Sequence, residues 1–95
     1  MVVGVGFIRM LIHQSSSLKT KRQVVKSILG QVRSKFDLSV AEVEDQDKWQ
    51  LCTLGFAVVT NDAGHAHSML ETVIAYVEGL HLAEITDSHV EIAHY

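Results

Sequence analysis

The chain has 95 residues, of which 47% are apolar and 20% charged, with a formal net charge of −3. This is the balance of one soluble globular domain spanning residues 1–95, and it argues against disorder. No segment approaches the ~20 apolar residues that a membrane-crossing helix needs, and the single cysteine, Cys52, has no internal disulfide partner, which points to a reducing, cytoplasmic setting.

The first predicted element is a strand over residues 2–13, rich in Val, Ile and Phe. Ile8, Met10 and Ile12 share one face; Phe7, Arg9, Leu11 and His13 share the other. The opening "MVVGVGFIRMLI" does not read as a signal peptide, since it lacks a basic start and carries Arg9 within the apolar run. Its "GVG" lacks the third glycine and the following helix of a dinucleotide motif. "QSSS" ends the strand and offers Ser17 as an N-cap. A helix then runs from Leu18 to about Phe36, with Leu18, Val25, Leu29, Val32 and Phe36 at helical spacing and Val24 and Ile28 widening the stripe.

Residues 37–44 alternate as a second strand, "DQDKW" is a turn, and residues 51–60 form a third strand. Asn61 or Asp62 caps a second helix whose apolar face is Ala66, Met69, Leu70, Val73, Ile74 and Val77, with Gly79 as its C-cap. Residues 83–93 alternate again. The order β-α-β-β-α-β, with right-handed crossovers, predicts an α+β ferredoxin-like sandwich: a four-stranded antiparallel sheet with both helices on one face. The other face is left open.

Six of the eight basic residues fall between Ser15 and Lys35, a stretch without a single carboxylate. On the helix, Lys19, Arg22, Lys26 and Arg33 fall within an arc of about 60°. Lys21 and Lys35 lie nearer the apolar arc and would have to snorkel. Solvated helix faces ordinarily interleave charge to gain i,i+4 pairs, and this one forgoes them. Aligned cations match the phosphates of a nucleic acid. Lys19, Lys21, Arg22, Lys26 and Arg33 are therefore the candidate nucleic-acid contacts. The acidic cluster Glu42, Glu44, Asp45 and Asp47 at the hairpin has oxygen ligands but no EF-hand pattern, and reads as a solvated turn.

On the third strand, "LGFAVVTN" resembles the strand motif of RNA-recognition domains at Gly55, Phe56, Ala57 and Val59. This predicts Phe7 and Phe56 side by side on the open face, where bases could stack. The preferred expectation is that Phe7, Arg9, Leu11, Leu54, Phe56 and Val58 form a patch covered by a second copy, making a homodimer through the sheet or through an edge strand. His65 and His67 point to different helix faces, and His13, His81, His89 and His94 are scattered, so no zinc site is expected. Cys52 has no activating neighbour in sequence. Neither a catalytic constellation nor a cofactor motif stands out, and the chain does not read as an enzyme.

The parts "SLKTKR", "VAEVEDQDKWQ" and "LGFAVVTND", within a match from Met1 to about Val77, resemble the YlxP-like family of small bacterial proteins of unknown function. The resemblance implies a ferredoxin-like fold. It also implies a gene neighbourhood that often includes translation initiation factor two and ribosome-binding factor A, and so RNA or a ribosomal particle as partner. Lys19, Lys21 and Arg22 fall where that family is also basic, whereas Phe7, Phe56 and "HQSS" before Ser17 depart from it. The leading expectation is RNA binding or ribosome association through the basic helix. The alternatives are a protein-interaction module and an ACT-like domain that binds a small ligand.

Overall fold

A computed structural model describes residues 1–95 and contains six elements. They are β1 (Val2–Leu11), α1 (Leu18–Lys35), β2 (Ser39–Glu44), β3 (Leu51–Thr60), α2 (Ala63–Gly79) and β4 (Glu84–His94). The strands form one antiparallel sheet in the order β2-β3-β1-β4. The α+β ferredoxin-like architecture follows from this order: two hydrophobic strands take the centre and two short or charged strands take the edges.

Local chemistry sets the boundaries. The Ser17 side chain accepts from Thr20 N at 3.1 Å and starts α1. Asp62 Oδ1 accepts from His65 N at 3.0 Å and starts α2. Each cap satisfies an amide that the first helical turn leaves without a partner. The end of α2 differs from the expectation. Gly79 is the last helical residue rather than the cap, Leu80 stays in right-handed helical geometry, and the left-handed turn falls on His81 at φ 54°.

The core lies between the sheet and the two helices. Ile8, Met10 and Ile12 from β1 and its exit meet Val25, Ile28 and Val32 of α1 and Ala66, Leu70, Val73 and Val77 of α2. Gly4 lets α2 approach the sheet closely, since a Cβ there would sit 2.8 Å from Leu70 Cδ1. At Gly6 the Phe56 ring occupies the space a side chain would need, with Cε2 2.8 Å from that Cβ position. The "GVG" run is thus a packing device.

The register corrects the reading of the third strand. Gly6 pairs with Phe56, and Phe7 pairs with Gly55. Directly paired residues share a face, so Phe7 and Phe56 lie on opposite faces. Leu54, Phe56 and Val58 are buried on the helix side, in line with Cys52. Phe7, Arg9 and Leu11 do lie on the open face. The expected pair of stacking aromatics is absent, because Phe56 fills the core over Gly6.

Candidate nucleic-acid interface

Helix α1 carries two kinds of basic residue, separated by the geometry of one turn. Lys21, Val25, Ile28 and Val32 recur at spacings of four, three and four and are the buried residues of the helix. Lys21 thus occupies the first position of the core stripe and is fully buried. Its Nζ lies 2.9 Å from Glu42 Oε2 on β2 and also donates to the Asp45 backbone carbonyl. The Lys21 ammonium and the Glu42 carboxylate thus form an ion pair inside the fold. Lys21 is removed from the phosphate contacts by this burial. The methylene stem does not snorkel to water, because a carboxylate and a carbonyl inside the fold satisfy the ammonium.

The surroundings of that pair explain two further residues. Asp45 takes a left-handed backbone at φ 64°, which turns the hairpin and aims its carbonyl at Lys21. Its carboxylate accepts from the Thr53 hydroxyl at 3.1 Å and lies 3.4 Å from Lys48 Nζ. Cys52 is buried beside the same group. Burial pushes its thiol up to about 12, the Glu42 carboxylate adds to the rise, and Lys21 opposes it. A thiol held protonated is a poor nucleophile. Glu42 and Asp45 are therefore structural partners and not free ligands of the acidic turn. No three His, Cys, Asp or Glu side chains converge in metal-holding geometry anywhere in the chain.

The remaining cations of α1 point outward. Arg33 Nη2 donates to the Val40 carbonyl on edge strand β2 at 2.8 Å, which ties the end of α1 to the sheet. Lys35 Nζ sits 5.3 Å above the Tyr76 ring of α2. Lys19, Arg22 and Lys26 are exposed and lie within ion-pair distance of no carboxylate. Every other lysine or arginine in the protein has an internal partner, since Arg9 meets Asp87 and Lys48 meets Asp45. The three free cations sit at i, i+3 and i+7, on one edge of one helix.

Two features were not visible in the sequence pattern. His13 and His81, 68 positions apart, both line a cleft of about 540 Å³ together with Gln14, Thr20 and Glu84. His13 Nε2 lies 2.9 Å from Glu84 Oε1 there. Phe7 is flanked by the Arg9 guanidinium, 4.9 Å above its ring, and by His89, at 5.7 Å between centroids. The His13–Glu84 and Phe7–His89 contacts join residues far apart in the chain, which periodicity does not encode.

Residues 3–90 match the family described as "Protein of unknown function (DUF503)". The chain belongs to the DUF503 family. Among curated relatives, the uncharacterized protein YlxP of Bacillus subtilis (strain 168) is 32% identical over 90 residues, spanning 95% of this chain and 98% of that one. Among solved structures, a de novo designed protein with a ferredoxin fold superposes with a TM-score of 0.55 at 11% identity, covering 98% of this chain and 83% of that one. A second designed protein, Foldit4, matches with a TM-score of 0.49 at 16% identity over 98% of this chain and 94% of that one. The designed ferredoxin likeness concerns the fold alone. No helix of this DUF503 chain is long and apolar enough to cross a membrane.

Proposed function

We propose that this DUF503 protein binds the phosphate backbone of RNA through Lys19, Arg22 and Lys26, with Arg33 extending the stripe toward the end of α1. One observation carries the reading: these three cations are aligned, exposed and without an internal counter-ion, whereas the other basic residues have partners. The helix has no carboxylate to neutralise them, so the stripe repels itself until an external anion arrives. Phosphate contacts of this kind position a protein without reading bases. Lys21 takes no part, and base stacking on Phe56 is not available. A ribosomal particle is the partner class to test first, by co-sedimentation at low salt and release at high salt.

The decisive measurement is the salt dependence of binding to labelled RNAs of unrelated sequence. Three phosphate contacts give a slope of log affinity against log salt of roughly −2 for single strands and −2.7 for duplexes. Replacing Arg22 and Lys26 by glutamine should weaken binding to every RNA alike and flatten the slope by about 1.4 to 1.8. Unchanged affinity and slope in that variant would remove the proposal. Preferential capture of an acidic protein over polyanions would move the stripe to protein interaction instead.

A further inference from the structure

The face of the sheet away from the helices is largely apolar along its two central strands, broken by the Arg9–Thr53 pair. β1 presents Val3, Val5, Phe7, Arg9 and Leu11 there, and β3 presents Leu51, Thr53, Gly55, Ala57 and Val59. No element of the chain covers it, and Val5, Val43, Leu51 and Val59 remain 39–67% exposed. Charge on this face comes from Arg9 of β1 and from the two margins, where Asp87 and Glu91 of β4 and Glu44 of β2 stand. On the β2 margin Ser39, Ala41 and Val43 precede Glu44. An apolar centre with a polar rim is the anatomy of a protein interface.

We infer that this face is closed by a second copy of the same chain, related by a two-fold axis that runs along the strands between β1 and β3. Two observations select this occupant and this axis. The first is size. Strands of 10, 6, 10 and 11 residues, at about 3.4 Å per residue and about 4.8 Å between strands, make a face of roughly 600 Å². A pair buries roughly 1,200 Å², the lower end of stable interfaces.

The second is shape. At mid-sheet β1 is a ridge and β3 beside it a furrow, because Val5 pairs with Ala57 and Phe7 with Gly55. A shallow trough runs over Ser39, Ala41, Gly55 and Ala57 beside Val5, narrowed at Gly55 by the Val43 side chain. An axis along the strands lays the ridge of each copy over the furrow of the other, which is the self-complementarity a two-fold contact requires.

The dimer is independent of the RNA reading. α1 lies on the opposite side of the sheet, so both basic stripes stay on the outside.

Sedimentation of the full chain at micromolar concentration tests this, with Val5→Asp and Ala57→Arg as separate variants and circular dichroism to verify folding. The expected result is a wild-type dimer that either substitution converts to a folded monomer. A spin label on His89→Cys then reports the axis, since buried Cys52 stays unlabelled. For the axis along the strands the two labelled backbones lie about 18 Å apart, against about 10 Å for the axis across them. A monomeric wild type, a dimer that survives both substitutions, or a separation near 10 Å overturns the inference.

Discussion

Lys19 and Lys21 stand two residues apart on one helix and have opposite fates. At about 100° per residue, that step carries a side chain from the solvent edge into the core stripe. Lys19, with Arg22 and Lys26, keeps its charge in water and without a partner. Lys21 spends its charge inside the fold, on Glu42 and the Asp45 carbonyl. Identical chemistry therefore does two jobs. The buried lysine fastens the β2–β3 hairpin to α1, and the exposed cations are free to meet an anion.

The comparison breaks most sharply at the buried partner. Lys21→Ala leaves the largely buried Glu42 carboxylate without its counter-ion, a loss of about 3–5 kcal/mol. For a domain of this size each 1 kcal/mol moves the midpoint by about 4–8 °C, so thermal unfolding should show a drop of well over ten degrees. Pairing Lys21→Met with Glu42→Leu should recover most of that loss, because both desolvation costs vanish together. If Lys21→Ala melts like wild type, the buried pair contributes nothing.

Cys52 reports the same pocket through pH. Its thiol has an ordinary value near 9.0 in the unfolded chain and about 12 in the fold. Below pH 9 both states hold the proton and the thiol adds no pH dependence. Between pH 9 and 12 only the unfolded state ionises, so stability falls by up to about 1.4 kcal/mol per pH unit. Denaturant titrations at rising pH should show this slope in wild type and a shallower one in Cys52→Ala. Equal slopes would mean that the thiol is not held protonated.

Smaller effects sharpen the outer side. Arg33→Gln loses one charged hydrogen bond to a backbone carbonyl on an edge strand, worth about 1 kcal/mol. Lys26→Gln touches nothing inside the molecule and should shift stability by less than about 0.5 kcal/mol, while still lowering RNA affinity. A Lys26 variant that unfolds more easily than the Arg33 variant would reverse the assignment of structural and free cations.

Much of this was legible in the residues before any coordinates. Periodicity and capping residues located all six elements, because Ser17 and Asp62 stop or start helices by local hydrogen bonds and Val-rich alternation needs only nearest neighbours. The face of β3 was also within reach. Its larger apolar residues Cys52, Leu54, Phe56 and Val58 share one face, and the smaller Gly55 and Ala57 share the other. Aligning "GFAV" to a base-stacking motif slipped that strand by one residue and turned Phe56 outward. The spacing of Lys21 with Val25, Ile28 and Val32 likewise put a lysine in the core stripe, where a carboxylate partner had to exist.

What the sequence by itself determined is therefore the set of elements, their order and the basic character of α1, since these depend on contacts within a turn or a strand. Only the tertiary structure decided which cations are free. Glu42 reaches Lys21 from a strand 21 positions away, Val40 meets Arg33 across a helix–strand junction, and Asp87 meets Arg9 across 78 residues. Charge that is local in sequence becomes surface or core according to partners brought in by the fold, and that choice rests on desolvation, which no linear pattern records.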